Sequence, residues 1–297
     1  MTPDPATSRN RYAFTLIELM VVIVIIGLLL AIAVPVMGRI EAKSRAVEEL
    51  SCARATVSAW RDYALARDGE VLKGYYPQSQ PSEEPLFDFN GDLIGPGPTQ
   101  ERWFWRLTPY LDDAKRTLYP SALKEFRRQN IDVPNHQYVA TLYPAFGLNG
   151  EWVGGQGEQL TNALYAIYQY GDLDSCPWIR RLSDIKHTSK LIIFSSARFG
   201  DTSESGMASE AVEGFHRIES PYHPSNGFRW AAASGGNGVL DTMTQDPADH
   251  GYVSARHDGK AVTAMADGST SLETLSQMAD MRRWADMAWK RDWVLMD

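Results

Sequence analysis

Three groups of residues in this chain have types and spacings that could do chemistry. The first is a lone carboxylate, Glu18, near the start of the apolar run FTLIELMVVIVIIGLLLAIAVPVM, residues 14–37. A glutamate in hydrocarbon costs about 2.5–3.5 kcal/mol even on lenient insertion scales, so a helix that only anchors has no use for it. A charge kept at that position points to a partner of opposite sign. The second group is His257 and Asp267, with nine residues between them and Gly268 following. Catalysis would need a nucleophile oriented by both, and the chain has no G-x-S-x-G elbow or comparable arrangement, so no enzyme activity is expected. The third group is His216, His223, His250 and His257, with Asp246 and Asp249 among them. Their two gaps of six residues suit no familiar zinc spacing, so they are expected to be structural or surface groups holding no metal.

Oxygen side chains also gather at Asp88, Asn90 and Asp92 in FDFNGDLI, residues 87–94. A calcium loop would next need glycine at position 93 and an acid at position 99, where the chain has Leu93 and Thr99. Asn90-Gly91 between short apolar arms is instead the signal of a type I′ hairpin turn. No cofactor is expected.

The element that must carry Glu18 is a membrane helix. Leu19 to Met37 is nineteen residues without a charge, which as a helix spans roughly 28 Å. The leader before it has Arg9 and Arg11 against Asp4. Basic residues on that side stay in the cytoplasm and put the C-terminal bulk across the membrane. Ala31-Ile32-Ala33 also offers the A-x-A string of a secretory signal peptide, but Glu18, the FTLIE string and Pro35 just beyond argue against removal there. An uncleaved anchor with no assembly role is the other plain reading.

The junction Arg11-Tyr12-Ala13-Phe14-Thr15-Leu16-Ile17-Glu18 resembles the type IV prepilin signal. That resemblance implies a cut between Ala13 and Phe14 by a prepilin peptidase/N-methyltransferase, a methylated Phe14, and retention of the apolar helix. It further implies that Glu18 is the family's assembly acid and that Pro35 is its helix-bending proline. The family usually has glycine before the cut; Ala13 is a milder small residue. The freed amine of Phe14 is cationic and would neutralise Glu18 of a neighbouring subunit inside a filament core. The expected partners are that peptidase, other pilin or pseudopilin subunits and the inner membrane. The location is the inner membrane, single-pass with an exported head, or a cell-surface filament.

The rest of the chain suits this plan. It has 29 basic and 37 acidic residues, and without residues 1–13 the balance is 27 against 36. An acidic surface disfavours nucleic acid as a partner. Leu50, Ala53, Val57, Trp60 and Ala64 make one apolar stripe at helical period, with Glu48, Glu49, Arg54, Arg61 and Asp62 on a solvated face. Arg67-Asp68-Gly69 ends that helix. The expected organisation is a leader at 1–13, a transmembrane and assembly helix at 14–37, its continuation into the head at 38–67, and an exported head at 68–297. The expected fold class is α+β, pilin-like: a long N-terminal helix packed on an antiparallel β-sheet head with long loops.

Within the head, Trp103, Trp105 and Leu107 read as core, and Leu191 to Ser196 as a central strand. Residues 147–157, rich in glycine, read as a flexible loop, and residues 200–213 as a polar excursion. Cys52 and Cys176 allow one disulfide in an exported domain, though Cys52 suits a buried thiol equally. Near the C-terminus, 261–266 and 269–275 read as two strands joined by the two-residue turn Asp267-Gly268, with the ring of His257 tying the hairpin to a neighbouring segment. With the Ser183–Ser196 segment and the prepilin start, this His-x9-Asp-Gly device resembles a pilin-like family abundant in planctomycetes. Ser276 to Asp297 reads as helical and then frayed, with Trp289 and Trp293 on one face; packing on its own domain is expected, contact with a membrane surface being the alternative. The alternative function is a membrane-held surface protein whose head binds a ligand, a glycan on the strength of exposed tryptophans, without polymerising.

Overall fold

The computed structural model describes residues 16–76, 82, 84–134, 136–155, 177–200, 211–223, 227–228, 230 and 246–295. The fold is α+β, a long N-terminal helix and an antiparallel sheet, and the chain divides into two units, Met1–Ser44 and Arg45–Asp297. Helix α1 is assigned without a break over Leu16–Leu65, through Pro35. In the first unit every described residue is helical, and exposed large apolar side chains between Leu16 and Ile40 cover all sides of the helix. A helix apolar all round has no face to turn to water, and this one is long and apolar enough to cross a membrane.

In the second unit α1 becomes amphipathic. Ala53, Val57, Trp60 and Ala64 are buried, Leu50 is half-buried, and Cys52, Thr56, Ala59 and Tyr63 widen the stripe. The helix stops where Asp68 and Gly69 take positive φ of 51° and 85°, with Gly69 N–H donating back to Ala64 O (2.8 Å).

The main sheet has four antiparallel strands in the order β1-β2-β7-β8: Phe146–Leu148, Ile192–Ser196, Lys260–Met265 and Thr270–Thr274. Two short pairs accompany it, β3 Arg198–Phe199 with β4 Val212–Glu213, and β5 Tyr222–His223 with β6 Gly227–Phe228. β2 and β7 are inner strands buried on both faces, which is why IIFSS and AVTAM read as continuous apolar and small residues. Phe146, Leu148, Phe194, Val262 and Ala264 join one core with the α1 stripe and with Trp103, Phe104, Trp105 and Leu107. Ile192, Ala261 and Met265 face a second core with Met278, Met281 and Trp284. Buried hydroxyls are satisfied inside the sheet: Ser196 Oγ donates to Ser254 O (2.8 Å) and accepts from Val262 N–H (3.0 Å).

Four expectations need correction. The glycine-rich stretch is not a loose loop as far as residue 155. Gly147 lies in β1, Trp152 and Val153 are buried, and a Cβ on Gly154 would stand 2.2 Å from Leu72 O. Its glycines serve close packing of backbone on backbone; residues 156–157 lie outside the described ones. Of the 200–213 excursion, Val212–Glu213 is strand β4, and 201–210 lie outside the described residues. The C-terminal stretch is one helical turn, Leu275–Met278, and a 3₁₀ turn, Met281–Arg283. Met281 N–H bonds back to Arg291 O (2.9 Å), and Trp293 is buried while Trp289 is 70% exposed, so the two share no face. Few tryptophans are exposed: Trp60, Trp103, Trp105, Trp152, Trp230, Trp284 and Trp293 are buried and Trp178 is half-buried, which leaves Trp289.

Candidate functional site

His257 stands just before β7, and the turn that puts it there is Asp258-Gly259. Both residues take positive φ, 50° and 73°, and His257 and Lys260 exchange both backbone hydrogen bonds (3.1 and 3.0 Å). That is a two-residue type I′ hairpin turn. It aims the imidazole at α1, where Nε2 lies 2.9 Å from Glu49 Oε2. Glu49, expected on a solvated face, is fully buried. An ionised carboxylate only accepts, so His257 Nε2 carries the proton of this bond.

Arg256 completes the cluster. Its Nε and Nη2 donate to Glu49 Oε2 (3.0 Å) and Oε1 (2.7 Å), and its Nη1 donates to Glu213 Oε2 (2.7 Å). The two remaining N–H groups reach Ala197 O (3.2 Å) and Ala145 O (3.1 Å). All five guanidinium donors are thus answered. Ser254 Oγ also donates to Glu213 Oε2 (2.8 Å). Burial by itself would raise the Glu49 carboxyl, but the Arg256 charge and the bonds from His257 and Arg256 hold it below the usual range. Burial likewise opposes the Arg256 charge, and Glu49 and Glu213 more than offset it.

At the other end of β7, Arg61 of α1 donates from Nη1 to Asp267 O (3.2 Å). The turn there is a three-residue loop. Gly268 N–H donates to Met265 O (2.9 Å) and Met265 N–H to Ser269 O (2.9 Å). Only Gly268, φ 90°, is left-handed. This corrects the two-residue turn: Asp267 has ordinary φ, and its Oδ1 accepts from Ser269 N–H (2.8 Å) and Oγ (2.6 Å). Asn90-Gly91 departs from expectation in the same way, with Gly91 N–H to Asp88 O (3.1 Å) and positive φ at Gly91 alone.

His257 and Asp267 therefore sit at opposite ends of β7 and share no site. Asp88 Oδ1 accepts from Asn90 and Asp92 N–H and Oδ2 from Gln137 Nε2 (2.8 Å), so its carboxylate is a turn and packing group. Among the described residues no group of His, Cys, Asp or Glu is arranged to hold a metal. His216 and His250 are held below the usual imidazole range, first by burial. Cys52 is a buried free thiol pushed up to about 11, first by burial; Cys176, with which a disulfide was allowed, lies outside the described residues. So do Ala13 and Phe14 at the processing junction. Glu18 lies in the first turn of α1 and is exposed.

Glu49 and Arg256 escaped the sequence reading, yet a signal existed. At about 100° per residue, Glu49 lies within about 40° of Ala53 and Trp60, on the buried stripe rather than opposite it. Asp258-Gly259, the same dipeptide as Asp267-Gly268, is an equal hairpin signal in the sequence.

The prokaryotic N-terminal methylation motif matches residues 8–34 of the chain. That window holds the Ala13–Phe14 junction, Glu18 and the start of α1. It supports a type IV pilin-like precursor, a class of structural subunits and not of enzymes. The apolar helix near the N-terminus suits a membrane-anchored protein of that class. No curated protein and no solved structure matches the chain.

Proposed function

We propose that the chain is the precursor of a pilin-like or pseudopilin-like structural subunit. A prepilin peptidase/N-methyltransferase cuts between Ala13 and Phe14 and methylates Phe14. The subunit then rests in the inner membrane, single-pass, with residues 68–297 exported. Assembly with other pilin or pseudopilin subunits, into a type IV pilus or a type II secretion pseudopilus, uses residues 14–37. Glu18 accepts the charge of a neighbour's Phe14 amine, and Pro35 adjusts the helix to its neighbours. The observation that carries this reading is the methylation motif running straight into an all-round apolar helix. The structural part of the His-x9-Asp-Gly device is to clamp strand β7 along α1; the spacing itself is what resembles the planctomycete-type pilin-like proteins.

The test is the N-terminus of the protein purified from membranes, read by peptide mass spectrometry. N-methylated Phe14 is expected, and a start at Val34 would end the filament reading. Glu18→Ala should then be exported and processed yet fail to enter filaments. If Glu18→Ala behaves as wild type, the subunit is a membrane-held surface protein instead.

A further inference from the structure

A cavity of about 260 Å³ opens beside edge strand β1, away from the Glu49 cluster. Its floor is rigid. The segment 215–218 runs along β1, with Leu148 N–H donating to His216 O and Ile218 N–H to Leu148 O (both 3.1 Å). Trp103 Nε1 adds a third bond to His216 O (2.6 Å).

Two guanidiniums line the cavity, each braced by aromatic rings. Arg217 lies over Phe215 and Tyr252, 5.6 and 5.4 Å from their centroids, and Arg102 lies 5.4 Å from the centroid of Tyr138. Arg102 Nη1 also donates to Thr141 Oγ1 (3.3 Å) and Pro98 O (3.4 Å). Yet the buried Nε of Arg102, the buried Nε of Arg217 and the buried Nδ1 of His216 have no hydrogen-bond partner. Glu219 Oε1 is 3.2 Å from Arg217 Nε, close enough for an ion pair but not aligned for a hydrogen bond. Among the described residues the lining holds two cations and no acid, with Glu219 against Arg217, around a ring that burial and both arginines keep neutral. Those buried nitrogens have no exposed surface and cannot themselves meet a ligand, but both arginines line the cavity, where an oxyanion would be held by their two charges. Tyr75, Phe199 and Phe215 supply flat apolar walls. The volume falls near the lower end for small-molecule sites, which run about 300–1,000 Å³, so it fits one ring and not an oligomer.

We propose that this cavity binds a small organic oxyanion, a carboxylate or sulfate on a sugar-sized ring. The charge sits between Arg102 and Arg217, and the ring lies against Tyr75, Phe199 and Phe215. This stands whether or not the chain polymerises.

Calorimetric titration of the full-length protein in a sugar-free detergent tests it, with galacturonate, galactose 6-sulfate, galactose and inorganic sulfate as probes. At least one acidic sugar should bind about tenfold or more tighter than galactose, and the better of the two identifies the oxyanion. Arg217→Gln should weaken that binding about tenfold, the size of one lost bond to a charged group. Glu219→Gln, which removes the competing charge, should tighten it, an effect that a damaged fold cannot produce. Failure of both acidic sugars to bind would overturn the proposal. Galactose or inorganic sulfate binding as tightly as they do would also overturn it, since either the charge or the ring would then count for nothing.

Discussion

His257 Nε2 and Glu49 Oε2 are 2.9 Å apart although 208 positions separate them in the chain. At the far end of the same strand, Arg61 of α1 holds Asp267 O at 3.2 Å. Glu49 and Arg61 are about 18 Å apart along a helix at 1.5 Å per residue. The His-x9-Asp-Gly spacing is therefore the length of strand and turn needed to reach both helix positions.

The clamp should be expensive to break from the helix side. Glu49→Ala leaves Arg256 buried without its main acceptor and is expected to cost about 3–5 kcal/mol. His257→Ala leaves Glu49 paired with Arg256 and should cost about 1–3 kcal/mol. Urea unfolding of the full chain in detergent, followed by tryptophan fluorescence, measures both. Because each single loss includes the same His257–Glu49 bond, the double variant should lose less than the two losses combined. A His257→Ala protein as stable as wild type would mean that the ring contributes nothing to holding α1.

Acid should weaken the head in two stages. Burial holds His216 and His250 below the usual imidazole value of about 6.5. The unfolded chain therefore binds protons first, and their contribution is complete above about pH 6.5 and lost as pH falls. Glu49 is depressed below 4.5, so its contribution is present above that pH and lost as pH falls through its folded value. Unfolding midpoints measured from pH 8 to 3 should decline first below about 6.5 and again below about 4.5. His216→Gln should flatten the first decline and Glu49→Gln the second.

Two glycines with similar φ should respond very differently to alanine. Gly259, φ 73°, has open space around an added Cβ, so Gly259→Ala should cost only the left-handed strain, about 1 kcal/mol. Gly154, φ 79°, would drive its Cβ to 2.2 Å from Leu72 O. Backbone must move to admit it, and the expected loss is about 3 kcal/mol or more. Thermal melts that rank Gly259→Ala as the more damaging would contradict the packing between residues 72 and 154.

The C-terminal tryptophans give a parallel contrast. Trp284 is fully buried and its Nε1 donates to Met278 O (2.7 Å), so Trp284→Ala should cost about 3–5 kcal/mol. Trp289→Ala, at a side chain 70% exposed, should stay within about 0.5 kcal/mol. Equal losses would mean that the terminal segment packs by a different face.

How much of this was legible in the sequence depended on whether a signal was local. Helix α1 was legible to within a residue at its C-terminal end, because Ala53, Val57, Trp60 and Ala64 repeat at helical period and Asp68-Gly69 is a stop. Strand β2 was legible from five consecutive buried positions. Glu49 was not, since a charge normally marks the wet face and its partners lie 207 and 208 positions away. Residues 276–297 misled for the opposite reason. Their composition favours helix, but Trp284, Trp293 and Met281 each find a pocket in the second core, and packing overrides propensity. Asn-Gly and Asp-Gly located the turns at 90–91 and 267–268, yet the two-residue form falls at Asp258-Gly259, which no reading singled out. The other two take a third residue, because a lone left-handed glycine after an ordinary turn closes those strands equally well.

The acceptors around Arg256 come from residues 49, 145, 197 and 213. No two neighbouring segments can assemble that shell alone. It closes only after α1, the approach to β1, the link between β2 and β3, and β4 have all arrived, so it belongs to the last steps on the folding path. Interactions absent from the transition state slow escape from the native state without hastening entry to it. Glu49 and Arg256 should accordingly act as a brake on unfolding, and their loss should register in the rate at which the head opens and hardly at all in the rate at which it forms.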